Sequence, residues 1–332
     1  MNRIIGPQAE HSATSAVTNS ALEVKWLTVD EESAGQRLDN FLIRHLKGVP
    51  KTHVYRIIRS GEVRINKGRA SADTRIENGD VVRLPPVRIS DKVAEKAARP
   101  APGREFPLLL EDDALMAIDK PAGVAVHGGS GVSFGVIEQL RQARPQAKLL
   151  ELVHRLDRET SGILLVAKKR SALKHVQDQF RERETGKTYL ALVQGSWPEK
   201  LKVIDSSLHK YLLPEGERRV RVTSNDDPDG MRSITLVKVA QRLEGCTLLE
   251  VTIKTGRTHQ IRVHMASLQL PLVGDSLYGG SLEPLMPRQA LHAEQLAFEH
   301  PITAERLSFQ SALPPDFQDL LKAWSLSYNE KT

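Results

Sequence analysis

A densely charged turn runs directly into an apolar segment near the middle of the chain, within His154–Lys169 (HRLDRETSGILLVAKK). Four charged side chains fall within residues 155–159, and the apolar run Ile163–Ala167 follows. The apolar run predicts a buried strand. Charged side chains at the start of such a strand cost free energy to bury unless they form ion pairs or serve a functional site. The pattern therefore predicts either a functional turn on a rigid strand or surface ion pairs before a core strand.

A second unusual segment, Lys254–His264 (KTGRTHQIRVH), follows later in the chain. It comes after Thr247–Ile253, whose residues are mostly β-branched or aliphatic and predict a strand. The next residues form a predicted turn, in which Gly256 is free to adopt positive φ. A helix starting near Arg257 is predicted by apolar residues at helical spacing, namely Ile261, Met265 and Leu268.

The polar residues of this predicted helix indicate what kind of site it carries. Thr258 and Arg262 are four residues apart and share a helix face. His259 and His264 are separated by about 140° around the axis, so they do not form the histidine pair of an HExxH metal site. We interpret the segment as a clamp for an anion or an acidic side chain rather than a metal site.

Three motifs occur in a fixed order along the chain: HRLDRETSG from His154, KTY at Lys187–Tyr189 and GRTHQIRVH from Gly256. On these motifs the chain resembles the RluA-type pseudouridine synthases over residues 105–325. The segment Val126–Glu138 (VHGGSGVSFGVIE) resembles most the members that act on large-subunit (23S) ribosomal RNA. The resemblance implies the pseudouridine synthase fold and the isomerisation of specific uridines in 23S ribosomal RNA without a cofactor.

The segments beyond residue 104 independently predict an α+β domain with a mostly antiparallel mixed sheet, because strand-like runs dominate there. Helix-like segments interrupt these runs at about residues 134–143, 172–183, 257–268 and 315–324. The sequence contains neither the phosphate-loop motif nor a convincing dinucleotide-binding glycine pattern. This agrees with a reaction that needs no cofactor.

The resemblance assigns three catalytic positions. Asp157 matches the family's catalytic aspartate, with covalent attack and proton abstraction both open as its role. A lone carboxylate in an apolar pocket tends to become protonated, so a cation must keep it ionised, and Arg262 matches that partner. Tyr189 matches the tyrosine that lies against the target uracil and is a candidate base for the carbon 5 proton. The alternatives are a structural salt bridge for the pair and a core aromatic for Tyr189.

Three further positions match residues expected to contact RNA. A stacked uridine must leave its stack to reach Asp157, and Arg155 matches the position proposed to fill the vacated space. A surface cation is the alternative for Arg155. Arg257 and Lys187 are expected to contact phosphates or backbone carbonyls.

A small N-terminal segment carries the whole positive excess of the chain. Residues 35–88 hold twelve Lys and Arg against five Asp and Glu, a net of +7, whereas the whole chain has a net charge of +6. Two predicted short helices and a small sheet resemble the α-L RNA-binding domain of ribosomal protein S-four, through Arg37–Asp39 and Gly61–Asn66. The expected phosphate contacts are Arg44, Lys47, Lys51, Arg56 and Arg59. A solvated charged helix face is the alternative.

These segments define the predicted domain organisation. We expect a disordered tail at 1–22, the RNA-binding domain at 23–88, a linker rich in Pro and Ala at 89–104, and the catalytic domain at 105–330.

The remaining expectations concern location and partners. No apolar run approaches the about 18 residues needed to span a bilayer, the N-terminus lacks the apolar core of a secretory signal, and the single Cys246 is expected to be buried. We expect a cytoplasmic monomer whose partner is large-subunit ribosomal RNA, with no bound metal, no membrane and no obligatory protein partner. Open alternatives are the same chemistry on transfer RNA or another ribosomal position, a non-catalytic RNA-binding assembly factor, and a metal-dependent hydrolase.

Overall fold

The computed structural model describes residues 23–31, 33–46, 49–87, 101–128, 134–213 and 218–325. The chain divides into two compact units, Met1–Pro100 and Ala101–Thr332. The predicted tail 1–22 and most of the predicted linker 89–104 lie outside the described residues. The predicted bounds of the two domains stay a proposal.

In its described residues, the first unit contains two helices and a four-stranded antiparallel sheet of order β1-β4-β2-β3. Its elements are β1 (Lys25–Thr28), α1 (Leu38–His45), α2 (Lys51–Arg59), β2 (Arg64–Ile65), β3 (Gly68–Arg69) and β4 (Val81–Leu84). The helices bury apolar residues at helical spacing, such as Val54 and Ile57 on α2. Asn66 and Lys67 both adopt positive φ, as a two-residue hairpin between β2 and β3 requires.

The second unit is built on one mixed sheet of order β11-β10-β12-β13-β9-β14-β8-β6-β5, with β15 paired to β14 and β7 to β8. Among the described strands, only β14 and β8 pair in parallel, which confirms the predicted α+β class with a mostly antiparallel sheet. The strands are β5 (Leu108–Glu111), β6 (Leu115–Lys120), β7 (Glu151–Leu152), β8 (Ser161–Ala167), β9 (Gly186–Gln194), β10 (Val203–Leu212), β11 (Arg218–Thr223), β12 (Met231–Leu243), β13 (Cys246–Ile253), β14 (Leu291–Glu299) and β15 (Arg306–Gln310). The helices are α3 (Val136–Ala143), α4 (Arg170–Glu182), α5 (Gln260–Ser267), a short 3-10 helix (Ser276–Tyr278) and α6 (Pro315–Ala323).

Strand register brings the charged turn and the KTY motif to one level of the sheet. Ser161 at the start of β8 pairs with His292 on β14, and His292 also pairs with Leu190 on β9. The turn before β8 therefore lies level with Tyr189, which pairs with Val251 on β13. The close approach of β14 to β8 requires glycine at Gly162, because a Cβ there would lie 2.2 Å from a backbone oxygen.

The structure corrects several sequence expectations. The helix predicted from Arg257 begins at Gln260, so Thr258 precedes the helix and shares no helix face with Arg262. The left-handed residue of the turn is His259, at φ 52°, and not Gly256. Strands β10 and β11 were not predicted. No helix in the described ranges has both the length and the apolar composition to cross a membrane.

Candidate active site

One buried guanidinium binds two carboxylates at the centre of the second unit. Arg262 on α5 donates from Nε and Nη2 to the two oxygens of Asp275, at 2.7 and 2.8 Å, and from Nη1 to Asp157 Oδ2 at 3.2 Å. Burial opposes the charge of this arginine, but the hydrogen bonds and charge of both aspartates outweigh it and raise the pKa of Arg262. Arg262 is therefore a fixed cation, and the predicted contact with Asp157 is present.

The two aspartates that bind Arg262 differ in whether a carboxylate oxygen remains free for a substrate. Asp275 follows Gly274, whose positive φ and close approach to the Arg288 carbonyl exclude a side chain, and only 1% of the Asp275 side chain is exposed. The Asp157 side chain is 17% exposed, and its Oδ1 lies 3.9 Å from His259 Nε2, beyond hydrogen-bond distance. Asp157 thus keeps one oxygen available to a substrate, whereas Asp275 holds the arginine.

His259 lies beside Asp157, and the Tyr278 ring packs against His259 with 5.6 Å between the ring centroids. Burial lowers the pKa of His259, and burial raises the pKa of Tyr278 to about 12, so both are neutral near pH 7. Tyr278 Oη and His259 Nδ1 are hydrogen-bonded at 2.7 Å, and the other ring nitrogen, Nε2, lies 3.9 Å from Asp157 Oδ1. The Tyr278 ring also lies 5.0 Å from the Arg262 guanidinium carbon.

Tyr189 lies on β9, and its residue surface is 9% exposed. Burial, and secondarily the charge of Asp157, raise the pKa of its hydroxyl. The hydroxyl has no hydrogen-bond partner among the described residues. Tyr189 therefore carries a protonated phenol that is near enough to Asp157 to be affected by the charge of that carboxylate.

Gln260 fastens the turn before α5 to the neighbouring strand. Its Oε1 accepts from the Thr255 hydroxyl at 2.8 Å and from the Arg257 backbone N–H at 3.0 Å. Its Nε2 donates to the Ile234 carbonyl and the Thr235 hydroxyl, both at 3.0 Å. The side-chain amide is fully used, so it fixes the turn that positions α5 and Arg262.

Two buried cations hold the backbone of the turn that carries Asp157. Lys120 is fully buried, and burial lowers its pKa to about 7; its Nζ donates to the Arg158 carbonyl at 3.1 Å and to two carbonyls of its own loop. Arg288 donates to the Glu159 carbonyl at 2.9 Å while it binds Asp316 through two hydrogen bonds. The two carbonyls belong to the residues that directly follow Asp157, so these contacts restrict its position.

A cavity of about 550 Å³ opens beside these groups, and its wall is rich in cations. It is lined by the three predicted catalytic residues and by the three predicted RNA contacts of this unit, namely Arg155, Lys187 and Arg257. Arg155 is exposed. Lys187 is buried against the Phe180 ring at 5.0 Å, and burial, then the nearby Lys254, lower its pKa to about 8. The structure thus brings all six predicted residues of this unit to one cavity.

The remaining predicted contacts belong to the first unit. Arg44, Lys51, Arg56 and Arg59 are exposed on α1 and α2, and none has an ion pair among the described residues. Lys47 lies outside the described residues. Lys51, Tyr55 and Arg59 follow one another at four-residue spacing and so form a single stripe on α2.

Sequence reasoning missed Asp275 and Tyr278. Both lie in GDSLYG (Gly274–Gly279), which follows the apolar run Leu270–Val273. A charged residue next to an apolar run is the same signal that indicated Asp157. A possible metal-ligand group in the described part of the chain, His209, Asp227 and Asp229, lies outside this cavity.

Comparisons with known proteins agree with this geometry. Residues 114–267 match the family described as RNA pseudouridylate synthase, and residues 36–82 match the S4 domain. The chain is 47% identical over 308 residues to ribosomal large subunit pseudouridine synthase C of Haemophilus influenzae, covering 90% of this chain and 94% of the relative. It is 46% identical over 302 residues to the protein of that name from Escherichia coli, covering 87% and 93%. Among solved structures, human RNA pseudouridylate synthase domain containing 4 shares the fold with a TM-score of 0.57 and 24% identity, covering 67% of this chain and 94% of that one.

Proposed function

The chain belongs to the RNA pseudouridylate synthase family and is an RNA pseudouridine synthase, and we propose that it isomerises specific uridines of large-subunit ribosomal RNA. The observation that supports this proposal best is the free oxygen of Asp157 in a cavity that Tyr189 and several cations also line. The names of relatives that match about nine-tenths of the chain supply the ribosomal substrate.

The reaction is balanced within the substrate. The bond from ribose C1′ to uracil N1 breaks, the bond from C1′ to C5 forms, and a proton leaves C5 while N1 gains one. No atom, electron or phosphate is consumed, so the side chains of the cavity need only to hold the nucleotide, stabilise charge and move a proton.

Asp157 is the proposed catalytic residue. Its free Oδ1 can attack the sugar carbon or take a proton from the ribose, and both routes require the ionised form. Arg262 supplies the cation, and Asp275 fixes the orientation of Arg262 through two hydrogen bonds. A preorganised charge of this kind acts without rearrangement during the reaction.

Tyr189 is proposed to contact the uracil through its ring. The raised pKa of its hydroxyl favours this contact over proton abstraction from C5, because a base must first lose its own proton. Its position on a buried strand makes the ring a rigid platform.

The surrounding cations are proposed to bind the RNA around an extruded uridine. Arg155 is exposed and lines the cavity, and its proposed role is to fill the space that the base leaves. Lys187 and Arg257 would bind phosphates there. On the first unit, the proposed phosphate contacts are Arg44, Lys47, Lys51, Arg56 and Arg59. We further propose that the protein acts as a monomer in the cytoplasm, where bacterial relatives would meet ribosomal RNA.

Mapping pseudouridines across all cellular RNA tests the substrate. Deleting the gene should remove specific pseudouridines from large-subunit ribosomal RNA, and the wild-type gene should restore them while an Asp157→Asn gene should not. A loss confined to transfer RNA would instead favour the alternative substrate. Restoration by the Asp157→Asn gene would contradict the assigned role of this residue.

Chelation separates this reaction from that of a metal-dependent hydrolase. Isomerisation by the purified protein should be unchanged after treatment with a strong chelator, because the proposed steps use only side chains. A clear loss that added metal restores would contradict the proposal.

A further inference from the structure

We propose that the outer face of the four-stranded sheet in the first unit is a second RNA-binding surface, formed by Trp26, Arg83, Arg64 and Arg69. The inference rests on the proposed function, because it takes RNA as the polyanion. It concerns a surface separate from the predicted contacts on α1 and α2.

Strand register places these four side chains in one row. Trp26 on β1 pairs with Arg83 on β4, Arg83 pairs with Arg64 on β2, and Arg64 pairs with Arg69 on β3. Directly paired residues of neighbouring strands point to the same face of a sheet. The residues next to them on β4, Val82 and Leu84, are buried in the core, so the row lies on the outer face. We call these four residues the sheet row.

The charges of the row oppose the stability of the sheet. Like charges in directly opposed positions repel each other, and Arg64, Arg69 and Arg83 have no ion pair among the described residues. Arg64 donates to the Gly61 and Lys67 carbonyls and Arg83 to the Glu62 carbonyl, which orients both guanidinium groups but does not neutralise them. A line of arginines without acidic partners is matched in charge by a phosphate backbone.

Trp26 ends the row with an exposed aromatic ring. It is 54% exposed on the edge strand β1, although its indole is the largest side chain of that strand. Proteins that bind single-stranded nucleic acid combine cations that follow the backbone with aromatic rings on which bases stack. Neighbouring strands are about 4.8 Å apart, so the row spans about 14 Å. That length accommodates a few nucleotides, with phosphates on the arginines and a base on Trp26.

The row also continues into the helix face. Arg69 lines a surface pocket of about 570 Å³ together with Tyr55 and Arg59 of α2. The Arg69 guanidinium packs over Gly61, where a Cβ would lie 2.9 Å from Arg69 Nε. An RNA strand bound to α2 can therefore run past the β3 edge onto the sheet row and stay next to positively charged side chains throughout.

The test compares matched charge removals in the full-length protein. Arg64→Gln/Arg83→Gln removes two cations from the row, and the control Lys25→Gln/Arg75→Gln removes two cations elsewhere in the same unit. Arg75 is a suitable control because it also donates to a backbone carbonyl, that of Gly35, at 2.7 Å. Binding of a labelled single-stranded RNA of about twelve nucleotides is measured over a range of salt concentrations.

The row variant should bind more weakly than the control, and the slope of log affinity against log salt should fall by about 1.4 for two lost phosphate contacts. Trp26→Ala should weaken binding roughly five- to hundred-fold, with Trp26→Phe between that variant and wild type. Isomerisation at saturating RNA should be unchanged in the control variant. Row and control variants with equal affinity and slope, together with full binding by Trp26→Ala, would overturn the inference.

The outcome is independent of the chemistry. If the wild-type protein formed no pseudouridine, the proposed function would be wrong, and the binding comparison would still decide for or against the sheet row. Suppose that the row variant bound RNA as well as the control variant did, and bound only an acidic protein or an anionic vesicle more weakly. The inference would then be wrong while the enzymatic function stood.

Discussion

Arginine side chains serve the two units in opposite ways. In the catalytic unit, Arg262 and Arg288 are buried, and each binds an aspartate through two hydrogen bonds. In the N-terminal unit, Arg59, Arg64 and Arg69 are exposed and have no ion pair among the described residues. A buried, paired arginine fixes geometry and adds little attraction for RNA. An exposed, unpaired arginine attracts phosphates and fixes little, so its effect depends on salt.

Asp157→Asn is expected to separate the isomerisation rate from RNA affinity most clearly. The amide preserves the shape of the side chain and removes its negative charge, while Asp275 still holds Arg262. We expect isomerisation to fall by at least about 10²–10⁴-fold, with RNA affinity and melting temperature close to those of wild type. Measured turnover near the wild-type value would show that the assignment is wrong.

The next largest effect is expected from removing the charge of the aspartates that bind the two buried arginines. Asp275→Asn removes the charged partner that fixes Arg262, and the matched variant Asp316→Asn does the same for Arg288, which donates to the Glu159 and Gln289 carbonyls. Removing one partner of a buried pair destabilises a protein by up to about 3–5 kcal/mol. We expect Asp275→Asn to lower kcat on the order of a hundred-fold with little change in KM.

The control separates catalysis from stability. Asp316→Asn should lower the melting temperature with a smaller loss of kcat, because Arg288 does not contact Asp157. Equal losses of kcat in the two variants, measured well below both melting temperatures, would contradict a special role for Asp275.

A smaller effect on overall function is expected from the exposed cations of α2. The variant Lys51→Gln/Arg56→Gln/Arg59→Gln should weaken RNA binding about ten- to hundred-fold and reduce the salt slope by about 2. The rate at saturating RNA should stay unchanged, because none of these residues belongs to the catalytic cavity. A loss of rate at saturation with normal affinity would contradict the proposed division between the units.

The smallest effect is a pH dependence from Lys187, which combines features of both regions because it is buried and lacks an acidic partner among the described residues. Its pKa of about 8 means that the ammonium is charged below pH 8 and loses its charge as pH rises through 8. If it binds a phosphate, RNA affinity should fall by up to about five-fold between pH 7 and pH 9. Lys187→Gln should bind weakly at both pH values. An identical pH profile in wild type and variant would remove Lys187 from the interface.

The sequence predicts the buried site better than the exposed one. The family resemblance supplies the pairing of Asp157 with Arg262, and the need of a carboxylate at an apolar site for a cation agrees with it. Asp275 was missed because the pattern indicates one partner for Arg262, whereas the fork of a guanidinium can bind a second carboxylate in a distant loop. The start of α5 was misplaced because His259 adopts a left-handed conformation that glycine was expected to take.

The sheet row was beyond sequence reasoning for a different reason. Trp26, Arg64 and Arg83 are far apart in the chain, and only strand order and register make them neighbours. Strand β11 was missed because its alternation of arginine and valine is short, and polar strands at a sheet edge resemble loops in composition. Helix α2, with regular apolar spacing, was readily predicted.

The central claim, that one unit carries the chemistry while the exposed cations of the other add RNA affinity without affecting the rate, is tested most directly by one paired measurement. The release of the C5 hydrogen from tritiated uridine in RNA, with enzyme in excess, gives the saturated rate, and titration of the same RNA gives the affinity. We predict that Asp157→Asn loses the rate and keeps the affinity, while Lys51→Gln/Arg56→Gln/Arg59→Gln keeps the rate and loses the affinity. A joint loss of rate and affinity in either variant, with the fold intact, would contradict the account.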